Sequence, residues 1–245
     1  IVQAAHLLGV GLHDGRPHAD LPVADDDDPA IFAHGKYGGA VPLRQGGSAA
    51  DAAIAMMLAL SVVEPQSSGI GGGGFMIHND GRTNDVGTID GRETAPSSAS
   101  PRLFLDAAGK PMPFIDAFAG GRSVGVPGNI ALAARASARW GKLRWPALFQ
   151  PAIRLAENGY QVTPRLAEAL SRLKAIWPDF PAAQAIYWQD GRPKQVGETV
   201  RNPALAALLR TVAKKGARAF YSGRNANAII GATGQSKRNP TVVTR

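Results

Sequence analysis

The chain has 245 residues, 44% hydrophobic and 19% charged, an ordinary balance for a soluble globular protein with a sizeable core. It contains no cysteine, which excludes disulfides, thiolate metal sites and a cysteine nucleophile. The net charge of +8 fits a basic surface, an acidic partner chain or nucleic acid, and no apolar run reaches the roughly 18 residues needed to cross a bilayer.

Residues 1–40 hold four of the five histidines (His6, His13, His18, His34) and the acidic run Asp25 to Asp28. His13, Asp14, His18 and Asp20 are conceivable metal ligands, but their spacing matches no pattern with a mechanism, and a solvated loop is expected. The apolar opening IVQAAHLLGV lacks a basic n-region and a clear cleavage site, so it does not read as a signal peptide. From Gly46 the signals sharpen. Ser48 and Asp51 have capping-box spacing, and AADAAIAMMLALSVV predicts a helix to Val63, apolar nearly all round and therefore buried. Pro65 stops it. A glycine run, Gly71 to Gly74, leads into a strand at Phe75–His78, a turn at Asn79-Asp80-Gly81, and a second strand near Asp85–Asp90.

The second half reads as mostly helical. Helices are expected from Ile130 to Trp140, closed by Gly141, and from Pro146 to Glu157, stopped by Asn158-Gly159. Thr163 caps a third, with Pro164 at its first position and Leu166, Leu170, Leu173 and Trp177 on one face. IYWQDGRP reads as strand and turn, and Asn202-Pro203 opens one more helix ending near Gly216. Basic residues are spread along the chain, with one looser concentration at Lys214, Lys215, Arg218 and Arg224; they form no stripe with interleaved aromatics, which does not favour nucleic acid.

Three motifs invite a functional reading. Gly69, Gly71 and Gly74 satisfy G-x-G-x-x-G, but a dinucleotide fingerprint needs the strand before the glycines and the helix after them. Here the order is inverted, and Phe75-Met76 stand where a P-loop needs Lys and Ser or Thr. Close backbone approach is the physical alternative. The second motif, GRSVG around Ser123, resembles a hydrolase elbow, yet every histidine lies at or before His78 and Pro127-Gly128 interrupts the required helix. A turn residue is expected there instead. The third is DGRETAP, Asp90 to Pro96. Its Arg92, flanked by carboxylates, is either a surface ion pair or a guanidinium held just past a buried strand to clamp a substrate carboxylate.

Taken together, RQGGSAADAAIAMMLALSVVEPQSSGIGGGGFMI, DGRETAPSSAS and SVGVPGNIALAARASARWGKLRWPALFQPAIRLAENGYQVTPRLA resemble, in order, the large subunit of the gamma-glutamyltranspeptidases and the related cephalosporin acylases. The resemblance runs from about Arg44 to about Gly223. It divides the chain into a poorly matched segment 1–40, a core 41–223 and a divergent tail 224–245. Ser48-Ala49-Ala50-Asp51 stands where the family commonly has Asn-Ala-Val-Asp, which keeps the cap and the carboxylate.

The resemblance implies an α+β fold, a four-layer αββα N-terminal-nucleophile hydrolase sandwich of which this chain is the large-subunit part. It implies a precursor that cleaves itself, so that the new N-terminal Thr of a small chain is the nucleophile and its own α-amine the base. No catalytic residue is then expected in this chain, and Thr244, next to the C-terminus, has no free α-amine. Arg92 is expected to hold the donor's α-carboxylate. The implied partners are the small subunit in a heterodimer, a γ-glutamyl donor such as glutathione, and an amino acid or water acceptor, with no metal, cofactor or nucleic acid. A periplasmic or secreted location is implied from relatives. Two rivals remain: a glutaryl-type cephalosporin acylase, whose donor also presents a carboxylate, and a non-catalytic scaffold that retains the fold.

Overall fold

Helix α1 (Ala49–Val63) begins at a capping box in which the Ser48 hydroxyl accepts from the Asp51 N–H at 3.1 Å and the Asp51 carboxylate accepts from the Ser48 N–H at 2.8 Å. In the computed structural model, which describes residues 38–241, this helix is the buried centre of the protein. The His13, Asp14, His18 and Asp20 group, the Asp25–Asp28 run and Thr244 lie outside the described residues. Ile54, Leu58, Val62 and Val63 join one continuous core with α3 (Asn129–Trp140) and α5 (Gln150–Asn158). Apolarity on every side is what a helix enclosed by other elements requires.

Asp51 does more than cap. Fully buried, it also accepts the backbone N–H groups of Lys142 and Leu143 at 2.8 and 3.1 Å, fastening α1 to the segment that follows α3. Burial alone raises the Asp51 carboxyl, but the donors from Lys142, Ser48 and Leu143 outweigh it and hold it below its ordinary 3.8. A carboxylate with a depressed folded pKa stabilises fully above the unfolded value, and that contribution is lost as pH falls through the folded one. Asp51→Ala is expected to cost about 2–4 kcal/mol by urea unfolding, from the lost cap and the stranded N–H groups. The gap to wild type should narrow as pH falls below about 4, where wild type loses the same interaction.

The strands β1 (Gly74–Asp80) and β2 (Asp85–Gly91) pair antiparallel in the register Gly74↔Gly91 to Asp80↔Asp85. The inner face of this hairpin rests on α3: His78 stacks on Trp140 with ring centroids 4.6 Å apart, and Ile89 is buried. The outer face carries Phe75, Ile77 and Val86, all exposed. Between the hairpin and α3 lie a short helix, α2 (Phe114–Phe118), and a 3₁₀ turn, Gly121–Ser123.

One sequence expectation is corrected after α3. The single helix expected from Pro146 to Glu157 is two, α4 (Trp145–Leu148) and α5, with Phe149 between them. Pro151 has no N–H to donate to Ala147, so the ladder breaks there and restarts. The Trp145 indole N–H donates to the Val212 carbonyl at 3.0 Å, tying this break to the C-terminal helices.

Helix α6 (Pro164–Arg172) has the expected Thr163 cap, whose hydroxyl accepts from Leu166 N–H at 3.1 Å. Leu173 and Trp177 lie beyond its end, Trp177 within a 3₁₀ segment, yet all four residues of the expected face are buried. In IYWQDGRP the helix α7 (Pro181–Tyr187) takes the first two residues, leaving β4 (Trp188–Gln189) and β5 (Arg192–Pro193) as a minimal hairpin. Its turn, Asp190-Gly191, has positive φ at both positions, as two-residue hairpin loops demand. A second short pair joins β3 (Tyr160–Gln161) to β6 (Thr199–Val200). Helix α8 (Pro203–Lys215) starts at Asn202, which accepts from Leu205 N–H at 3.0 Å, and α9 (Arg218–Tyr221) and α10 (Gly223–Gly234) follow. The fold is mixed α+β, and no helix among the described residues is long and apolar enough to cross a membrane.

Candidate functional site

Arg92 is the first residue after β2, in a turn whose backbone is held from three sides. Its own N–H donates to the Asp90 carboxylate at 2.9 Å. Thr94 and Val126 exchange backbone hydrogen bonds of 3.3 and 2.8 Å, so the 125–128 segment runs beside the turn. The glycine run walls the third side. A Cβ on Gly73 would sit 2.5 Å from both the Glu93 nitrogen and the Gly91 carbonyl oxygen, and one on Gly128 would sit 1.9 Å from that same oxygen. Real Cβ atoms do not approach backbone so closely, and this is why the stretch is glycine. The phosphate-cradle alternative fails on structure as on order: helix α1 precedes the glycines and strand β1 follows them.

The entry to the glycine run is pinned from the other side. Buried Glu64 accepts from the Gln66 side chain, and the Arg165 guanidinium donates to the Ser67 hydroxyl at 2.8 Å while its Nε lies 3.7 Å from Glu64. The guanidinium of Arg92 is treated differently from its backbone. Its side chain is 67% exposed, and Nε lies 3.2 Å from the Glu93 carboxylate, itself only 20% exposed. The strand before it is not buried throughout, as the sequence suggested, but alternates, with Gly87, Ile89 and Gly91 inward. A rigid backbone thus presents an open, singly braced guanidinium fork, which is the arrangement that accepts a carboxylate in two parallel hydrogen bonds.

The whole span around this turn matches the family model described as gamma-glutamyltranspeptidase, over residues 37–237. The chain belongs to the gamma-glutamyltranspeptidase family. It is 41% identical over 191 residues to the glutathione hydrolase proenzyme of Bacillus subtilis (strain 168), covering 78% of this chain and 32% of that protein. To glutathione hydrolase 3 of Arabidopsis thaliana it is 42% identical over 193 residues, covering 78% of this chain and 29% of the relative. The chain therefore spans about a third of the length of the curated relatives it matches. Among solved structures, Helicobacter pylori gamma-glutamyltranspeptidase superposes with a TM-score of 0.77 at 30% identity, over 89% of this chain and 61% of that one. A cephalosporin acylase from Bacillus halodurans gives 0.66 at 31% identity, over 83% and 39%.

The other candidates of this family member fall away from the site. Ser123 ends a 3₁₀ turn and donates to the Gly120 carbonyl at 3.0 Å, with an extended residue rather than a helix after it. His78, the one histidine among the described residues, is stacked on Trp140. No group of three or more His, Asp or Glu that could hold a metal is found among the described residues. Sequence reasoning did not single out Gly128 or Asn129. The Pro-Gly-Asn opening of α3 marked a helix start, but nothing in it showed which loop that start would face.

Proposed function

We propose that this chain is the large, non-nucleophile part of a two-chain gamma-glutamyl transferase or hydrolase, with Arg92 as its donor-carboxylate clamp. The observation that carries the reading is the glycine-walled turn, which fixes Arg92's backbone while leaving its fork open. Family membership supports it, as does the name proenzyme borne by relatives in Bacillus subtilis and Escherichia coli. The nucleophile is the N-terminal Thr of a small chain from the same precursor. Its hydroxyl attacks the donor's γ-carbonyl carbon, its α-amine takes the hydroxyl proton, and the departing amine receives that proton as the amide C–N bond breaks. The resulting γ-glutamyl ester is then attacked by water or by an amine, which regenerates the Thr. Glutathione is the donor that the relatives' names suggest.

The four-layer αββα sandwich belongs to the same proposal. The outer face of the β1–β2 hairpin supports it: Phe75, Ile77 and Val86 are 68%, 75% and 66% exposed on one side of a two-stranded sheet. Three large exposed apolar side chains on one sheet face, interleaved with Asp90, Thr88 and Asn79, call for a covering layer, and the small chain's sheet supplies it. The likeness to the Bacillus halodurans cephalosporin acylase keeps a second reading, deacylation of a carboxylate-bearing acyl group from a β-lactam nucleus.

Intact mass of the full-length precursor after purification, and again after mixing with a γ-glutamyl donor and acid quenching, tests both parts. Two chains, the smaller beginning with Thr and gaining one γ-glutamyl mass, are expected. Hydrogen exchange in that assembly should protect residues 74–80. An uncleaved protein with no acyl adduct overturns the assignment, and turnover of a glutaryl but not a γ-glutamyl donor selects the acylase.

A further inference from the structure

We infer that Asn129 is a positioning residue for Arg92, acting through the glycine run; the inference rests on Arg92 being the carboxylate clamp. Asn129 is the first residue of α3 and is 6% exposed. Its side-chain N–H donates to the Gly69 carbonyl at 2.7 Å across 60 residues of sequence. Its backbone N–H and that of Gly128 both donate to the Gly72 carbonyl, at 3.1 and 2.9 Å. A helix start that usually recruits its own capping side chain is here capped by the glycine run.

The glycine run in turn touches the Arg92 turn. The Gly73 backbone packs on residues 91–93, and a Cβ on Gly72 would meet the Glu93 carboxylate at 3.3 Å. Glu93 is the group that braces the Arg92 guanidinium. The chain of contact is Asn129, Gly69–Gly73, Glu93 and the 91–93 backbone, Arg92. Arg92's side chain is mostly solvent-exposed and gains little direction from packing, so the fork's placement depends on its backbone and on Glu93. A carboxylate held in two parallel bonds tolerates little displacement of that fork.

The test uses the processed two-chain enzyme with two anilide donors, γ-glutamyl and 4-aminobutanoyl, the second lacking the α-carboxylate. Asn129→Ala removes the side-chain bridge to Gly69 and leaves the two backbone bonds to Gly72; Asn129→Asp keeps the shape and removes the donated hydrogen bond. Both are expected to raise KM for the γ-glutamyl anilide about tenfold with kcat within about twofold, and to leave the 4-aminobutanoyl rate unchanged. A purely structural role slows both donors alike, or neither, and either result overturns the inference. Arg92→Ala, run in parallel, separates the two layers of the argument. If it loses the γ-glutamyl preference while the Asn129 variants keep it, positioning fails and the clamp stands. If Arg92→Ala keeps the preference, the clamp reading fails and this inference falls with it. Should Asn129→Asp yield no two-chain protein, Asn129→Ser, which is smaller and too short to reach Gly69, takes its place in the same comparison.

Discussion

Arg92→Ala is expected to lower kcat/KM for a γ-glutamyl donor by about 2–5 kcal/mol of transition-state binding while leaving precursor cleavage intact. That range applies to a charge pair enclosed on binding. In this chain alone the Arg92 side chain is 67% exposed, and an exposed pair contributes only about 0.2–1 kcal/mol. The size of the loss therefore reports enclosure: a loss near the upper figures means that small chain and donor together shut the guanidinium from water. Arg92→Lys should recover little, because an ammonium cannot reproduce the planar fork. Steady-state kinetics with a γ-glutamyl anilide measures both variants, and an unchanged kcat/KM in Arg92→Ala removes Arg92 from the site.

Gly128→Ala should damage folding and donor use together. Its Cβ would sit 1.9 Å from the Gly91 carbonyl oxygen, 2.6 Å from that carbonyl carbon and 3.0 Å from the Arg92 carbonyl oxygen. All three are backbone atoms, so no side chain can swing aside. The 91–92 backbone must shift, which breaks the β1–β2 register at Gly74↔Gly91 and moves the residue that carries the clamp. Overpacking of this kind costs about 1–3 kcal/mol, and a backbone clash belongs at the upper end. Urea unfolding and donor KM should both show it. Gly81→Ala is the control: nothing lies within 4 Å of its Cβ, so a change within about 0.5 kcal/mol is expected. Equal behaviour of the two variants contradicts the wall.

Much of the local structure was legible in the residues. Ser48 and Asp51 announced the α1 capping box, and Thr163-Pro164 and Asn202-Pro203 announced α6 and α8, whereas the hairpin turn expected at Asn79-Asp80-Gly81 lies at 81–84, because Asn79 and Asp80 still pair with Val86 and Asp85. Each of these signals acts within a few residues of chain. The break at Phe149 was also local, carried by Pro151, but the strong helical pattern on either side concealed it. The glycine run announced close backbone approach, and its order relative to helix and strand excluded a phosphate loop. What it approached was not written beside it.

By itself the sequence determined the main elements between residues 48 and 216 and their caps, and, through the resemblance of its longer motifs, the family and the one arginine to watch. Tertiary structure alone decided that Asp51 fastens α1 to the segment after α3, that Gly128 meets the Arg92 turn while Asn129 holds the glycine run, and that Phe75, Ile77 and Val86 are left open on one face of the hairpin. The physical reason is range. Capping, turn and proline signals are set by hydrogen bonds between near neighbours, whereas the site is joined to α3 by contacts across tens of residues, such as Thr94 to Val126, Gly91 to Gly128 and Gly69 to Asn129. Those contacts exist only once α3 has packed against the hairpin.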